Sequence, residues 1–229
     1  MNQMAYGNGR TIRARVDSRK VNLGLLQAGV LAGPLYILVG VLQMHFREGF
    51  DIRKHELSLM SIGPYGWLQI ANFLLSGMMV IACGVGLRKV LRSVKGGTWG
   101  PVLLCGYGLG LIGAGLFVAD PAAGFPVGMP ETNMISWHGL LHFVTGAIGF
   151  LCLIGSCIVF ARRFLKQGSR GWAIYSVATG VLFFAAFAGI ASGSKSEWLN
   201  LAFTVAVVLG WTWISLIAFR FSRNGGDLA

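Results

Sequence analysis

Long apolar runs alternate with short polar or basic links along the chain. A helix needs about 20 apolar residues to cross a bilayer, and six runs reach that length. They predict membrane spans near 23–44, 67–87, 101–119, 137–161, 172–191 and 199–219. We therefore predict an all-α protein, a bundle of six transmembrane helices. A basic tail at residues 1–22 and a shorter tail at 220–229 flank the bundle, and both tails are polar enough to be expected to be disordered.

The composition agrees with a membrane protein. The 229 residues are 55% hydrophobic and only 12% charged, whereas a soluble domain carries about 25% charged residues. The net charge of +11 does not indicate a nucleic-acid partner, because the basic residues fall in separate clusters between the apolar runs. The four cysteines all lie inside these runs and are expected to be free thiols.

Lysine and arginine are divided unequally between the two ends of the predicted bundle. Fifteen of the 19 lie in the two tails and in the links that follow the second and fourth spans. The other four are Arg47, Arg53, Lys54 and Lys195. Because cytoplasmic loops are enriched in these residues, we predict that both termini are cytoplasmic. We therefore expect a multi-pass protein of the cytoplasmic (inner) membrane.

Histidines and acidic residues gather on the predicted outer side. All four histidines and six of the eight acidic residues lie there. Three spans begin on this side with polar residues that share one helical face. The three stripes are Gln69, Asn72 and Ser76; His138, His142 and Thr145; and Glu197, Asn200 and Thr204. Since polar side chains in a span face the bundle interior or a wet cavity, we predict an outward-facing polar pocket. Loop residues His45, His55 and Ser58 would complete its lining.

The pair His138 and His142 carries the candidate chemistry, because residues four apart lie one helical turn above each other. Together with Asp120 the pair could hold a divalent metal such as zinc, with an open position for an activated water. His142 and Glu56 are then the candidate catalytic residues. Without a metal, His142 could transfer a proton or bind an anionic headgroup. A b-type haem would need an axial histidine on a facing helix, and only His45 could supply it.

The leading interpretation is binding of a small molecule or lipid headgroup at the outer leaflet, with metal-assisted hydrolysis as its enzymatic form. The alternative is a non-enzymatic transporter or a subunit of a membrane complex. Small residues recur in the third span between Gly106 and Gly115. Such spacing lets helices approach closely, which favours tight packing inside the bundle, with a homodimer face as the alternative.

Several segments resemble a known family. They are Ala28–Leu35, Arg47–Asp51, His55–Phe73, Gly84–Leu87, Ala119–Pro121 with Gly124–Pro126, and His138–His142. In these segments the chain resembles the bacterial membrane proteins called domain of unknown function 998. The resemblance implies an integral membrane protein of six helices and names no reaction.

Overall fold

The structure, a computed structural model, describes residues 3–92, 97–129, 134–194 and 196–224. In these ranges six α-helices carry most of the chain, and all six are long and apolar enough to cross a membrane. The helices are α1 (Gln3–Met44), α2 (Gly66–Val90), α3 (Trp99–Leu116), α4 (Trp137–Lys166), α5 (Arg170–Ala191) and α6 (Glu197–Asn224). The predicted six-helix, all-α architecture is confirmed.

The ends of the bundle differ most from the prediction. Helix α1 begins at Gln3 rather than near residue 23, so the N-terminal segment that we expected to be disordered continues the helix. Charge lowers the hydropathy of this segment, but it contains no proline to break the helix before Pro34. Helix α6 likewise runs to Asn224, into the predicted second tail.

The helices are arranged as a closed ring in chain order, in which each helix packs against the next and α6 packs back against α1. Large aromatic side chains of α4 and α6 fill the interior toward the C-terminal ends of these two helices. The fully buried members are Phe160, Phe164, Trp211, Trp213 and Phe221. The opposite half of the ring contains the site described below.

Glycines allow α3 to approach both of its neighbours. A Cβ atom on Gly77 of α2 would lie 2.7 Å from the carbonyl oxygen of Gly108, and the reverse distance is the same. On the other side of α3, a Cβ on Gly110 would lie 2.6 Å from the Cα of Gly149 in α4. The small residues of α3 thus serve packing inside the chain, as the leading interpretation expected. The homodimer stays a prediction.

Helices α1, α3 and α5 finish at the same end of the bundle at which α2, α4 and α6 begin. We call it the predicted outer end. The loop after α1 contains a short 3-10 helix, Leu57–Ser61. In this loop the guanidinium of Arg47 donates to the carbonyls of Ile62 and Pro64 and lies 5.3 Å from the ring centroid of Phe125. Arg47 thereby ties the first outer loop to the loop between α3 and α4.

His55 and Asn200 strengthen this loop layer. The His55 ring accepts from the backbone N–H of Asp51 at Nδ1, over 2.9 Å. Its Nε2 donates to the carbonyl of Ala123 in the other loop, over 3.0 Å. Asn200 of α6 donates to the carbonyl of Ile52, over 2.9 Å. Both side chains are therefore engaged in holding the loops together.

Candidate functional site: a cavity in the predicted outer half

A cavity of about 530 Å³ lies between the helices beneath the loops. Sites for small molecules and cofactors have volumes of roughly 300–1,000 Å³ and mostly apolar walls with a few polar groups. Residues from all six helices line this cavity, and its apolar walls include seven aromatic rings. The rings are those of Tyr36, Phe73, Tyr107, Phe143, Phe150, Phe187 and Phe203.

Helix α4 creates much of the open space. His142, Gly146, Gly149 and Phe150 line the cavity, and their spacing of four, three and one residues places them on one helical face. A Cβ on Gly146 would have no atom within 4 Å. The missing side chain at this position thus leaves a volume that no neighbour fills.

Five polar side chains line the cavity: Glu56, Ser58, Asp120, His142 and Thr204. Two of them are carboxylates. Among the residues that the structure describes, no lysine or arginine lines the cavity. The lining is therefore apolar, with acidic and acceptor groups at the predicted outer end.

His142 is oriented by the end of α3. Its Nδ1 lies 3.0 Å from the carbonyl oxygen of Ala114 and 2.8 Å from that of Phe117. Since a carbonyl oxygen only accepts, Nδ1 must carry the ring proton, which the two carbonyls share. In the neutral imidazole the lone pair is then on Nε2. His142 thus satisfies carbonyls at the end of α3 and leaves Nε2 as an acceptor or base.

Glu56 immediately precedes the 3-10 helix, but its side chain makes no capping hydrogen bond there. Glu56 is one of the residues that line the cavity. Burial raises the pKa of Glu56, and this effect is offset only in part by a backbone hydrogen bond and by nearby His55 and His142. Ionised Glu56 therefore lacks the solvation that an exposed carboxylate has.

Asp120 is held at the N-terminus of α4. Its two oxygens accept hydrogen bonds from the backbone N–H of Ser136 at 2.8 Å and from the Ser136 hydroxyl at 2.5 Å. The same hydroxyl accepts from the backbone N–H of Gly139 at 3.0 Å. The first turn of α4 and its dipole thereby stabilise a negative charge at the mouth of the cavity.

Among the residues that the structure describes, the three predicted metal ligands do not form a common site. His138 lies outside the cavity lining, with its ring against Trp137 and Phe117 at centroid distances of 3.5 and 6.2 Å. Across the described ranges, no group of three or more His, Cys, Asp or Glu side chains is placed to hold a metal ion. The zinc site of His138, His142 and Asp120 is therefore not supported. The spacing places the two histidines on one helical face, but the rings make different contacts: His138 meets the ring of Phe117, whereas His142 donates to the carbonyl of Phe117.

The polar stripe of α2 is also not part of the lining. Gln69 accepts from Gln43 of α1 over 2.8 Å, and Asn72 donates to the carbonyl of Tyr36 over 3.2 Å. Ser76 donates to Asn72 over 3.3 Å. All three side chains of the stripe are buried. Gln69 and Asn72 thereby join α2 to α1, whereas Ser76 bonds within α2; the spacing of the stripe does not indicate Gln43 as a partner.

Of the remaining residues predicted to line the pocket, some line the cavity and others do not. Thr204 and Ser58 line the cavity, whereas His45, His55, Thr145, Glu197 and Asn200 do not. His45 is exposed just after α1 and contacts the carbonyl of Val41 in that helix, and the Thr145 hydroxyl donates to the carbonyl of Leu141. Glu197 is exposed at the start of α6. The predicted polar pocket is thus corrected to an aromatic cavity with a few polar groups.

The fold and the site define the class of protein: an integral membrane protein of six helices with a cavity in one half of the bundle. The chain belongs to the family described as protein of unknown function (DUF998), whose model matches residues 30–220. That range includes every residue that lines the cavity. The resemblance noted in the sequence is confirmed. No curated protein and no solved structure matches the chain.

Proposed function

We propose that this protein binds a single-chain amphiphile, with the apolar chain between the aromatic walls and the polar end near Glu56, Asp120 and His142. The observation that carries the proposal is the cavity itself. An apolar volume of about 530 Å³ is bounded at one end by ionisable groups. Ionisable groups at the edge of a membrane bundle are costly to maintain and usually functional.

The membrane side follows from the charge pattern. Cytoplasmic segments are enriched in lysine and arginine, and most of these residues lie at the end away from the cavity. We therefore propose that the cavity belongs to the outer leaflet of a bacterial cytoplasmic membrane. The amphiphile would come from that leaflet or from the outer medium.

Filling the cavity tests the proposal. A Phe side chain at position 146 would enter the volume beside His142 and Phe150, so Gly146→Phe should block the site. Gly171→Phe is the matched control, since a Cβ there also meets no atom within 4 Å but lies on the exposed first turn of α5, away from the cavity.

Both variants and the wild type would be placed in nanodiscs of a zwitterionic lipid, and the retention of tritiated dodecanol measured. We expect the wild type and Gly171→Phe to retain the alcohol above empty discs. Gly146→Phe should lose at least about tenfold in affinity, equivalent to about 1.4 kcal/mol. Equal retention by the two variants would contradict the proposal.

Hydrolysis of the bound amphiphile is a second candidate function, favoured by one observation. The hydrogen bonds at Nδ1 leave Nε2 of His142 as a base in the same cavity as Glu56. A base and a carboxylic acid in one site are the components of general acid–base catalysis. Release of dodecanol from dodecyl esters, abolished by His142→Gln and by Glu56→Gln, would support it. If the wild type releases no dodecanol, hydrolysis is excluded and only the binding function remains.

A further inference from the structure

We infer that the amphiphile bound in this cavity carries a positively charged amine at its polar end. This inference rests on the proposed function and specifies its ligand. It excludes an anionic headgroup at His142.

The charge of the lining favours a cationic group. Glu56 and Asp120 are carboxylates, and Nε2 of His142 carries a lone pair. No arginine or lysine from the described part of the chain lies in the lining to attract a phosphate, sulfate or carboxylate. A cationic amine would supply both the N–H donors and the charge that these groups need. An anionic head would face like charges instead.

Thr204 offers an independent indication that the cavity is made for a polar ligand group. Its side chain is 9% exposed and lines the cavity from α6. Its hydroxyl is buried and makes no hydrogen bond to any described residue. A buried polar group without a partner is costly. A ligand with a donor or acceptor would offset that cost, and a pure hydrocarbon would not.

The aromatic surroundings are also compatible with a cation. The Phe73 ring lies 6.3 Å from the His142 ring, at the polar end of the cavity. Aromatic faces attract cations, most strongly where water is excluded. The same wall would give an anionic headgroup no comparable stabilisation.

The test compares three molecules that share one chain: dodecylamine, dodecanol and dodecanoate. Each would compete with tritiated dodecanol for the wild-type protein in zwitterionic nanodiscs at about pH 7, where the free amine is cationic and the free acid anionic. We expect the amine to bind at least about tenfold more tightly than the alcohol, and the carboxylate to bind more weakly than the alcohol.

Three variants test whether the acidic lining residues cause the preference for the amine over the alcohol. Glu56→Gln and Asp120→Asn should each lower the ratio of amine to alcohol affinity several-fold, and the double variant should bring it near one. Glu197→Gln is the matched control, because Glu197 is an exposed acidic residue at the same end of the bundle but outside the lining. Its ratio should equal that of the wild type.

The outcomes separate this inference from the proposed function. If dodecanol binds but the amine binds no more tightly, or if dodecanoate binds most tightly, the inference is overturned and the amphiphile site stands. The inference also fails if the amine preference survives in the double variant. If the wild type and Gly146→Phe bind each of the three molecules with equal affinity, the proposed function fails as well.

Discussion

The carboxylate of Asp120 lies directly over the backbone of Gly139, so that a Cβ atom at position 139 would overlap Oδ2 of Asp120. The loop between α3 and α4 and the first turn of α4 can therefore meet only if residue 139 has no side chain. This contact keeps Asp120 on the N–H and hydroxyl groups of Ser136. It also fixes one carboxylate of the cavity mouth.

Gly139→Ala should displace the Asp120 carboxylate and weaken the cap of α4. Loss of hydrogen bonds to a charged group costs about 1.5–3 kcal/mol, so we expect destabilisation of that order in thermal or denaturant unfolding. Gly146→Ala, on the same helix but beside open space, is the control. It should be neutral or stabilising by up to about 1 kcal/mol, since alanine favours helix. Equal effects of the two substitutions would contradict the contact.

His142→Ala should destabilise the end of α3. Its Nδ1 proton serves the carbonyls of Ala114 and Phe117, and leaving buried acceptors without a donor costs about 1–3 kcal/mol. His45→Ala is the control, because the ring of the exposed His45, just after α1, contacts the carbonyl of Val41 in that helix. The control should change stability by less than about 0.5 kcal/mol. Unfolding of the two variants at a common pH measures the difference.

The six helices could be predicted because crossing a membrane requires long apolar runs, and these are visible in the sequence without knowledge of any neighbour. The sequence also predicts which face of a helix carries a polar stripe, but it does not predict which helix packs against that face. Gln69 and Asn72 do face the interior, where Gln43 and the backbone of Tyr36 satisfy them. Helical spacing contains no information on that partner, which depends on how α1 packs against α2.

The aromatic walls were missed for a similar reason. Phenylalanines in a membrane span are as easily explained by contact with lipid as by contact with a ligand. A signal was nevertheless present on α4, where Gly146, Gly149 and Phe150 continue the helical face of His142. Small residues between a ring and a histidine on one face indicate either a close helix contact or a cavity. Gly149 makes the contact, and Gly146 faces the cavity.

Arg47→Lys should loosen the outer loops. The guanidinium serves two carbonyls at once and stacks on Phe125, a combination that an ammonium group does not reproduce. We expect a loss of about 1–3 kcal/mol and faster proteolysis within residues 45–65. Arg53→Lys is the control, because Arg53 is exposed and pairs with Asp51 at the surface. Such exposed pairs are screened by solvent and contribute little to stability. Similar proteolysis of both variants would contradict the role of Arg47.

Glu56→Gln should stabilise the ligand-free protein above mildly acidic pH. Burial raises the pKa of Glu56 in the folded state. At a pH between the pKa of the unfolded state and that of the folded state, Glu56 is therefore more fully protonated in the folded protein than in the unfolded chain. Stability therefore falls as pH rises from the ordinary value of about 4.3 through the raised folded pKa. Glutamine keeps the shape of the side chain without the charge, so the variant should not show this loss.

The measurement is the difference in melting temperature between Glu56→Gln and wild type as a function of pH, in nanodiscs of a zwitterionic lipid without added single-chain amphiphile. The difference should be small near pH 4, should increase as Glu56 ionises, and should then level off. Glu197→Gln, at an exposed position, should show no comparable increase. A difference that does not vary with pH would mean that ionised Glu56 is solvated in the folded protein. The opposite sign would mean that a cation from the protein itself already pairs with it, which would leave no place for an amine ligand.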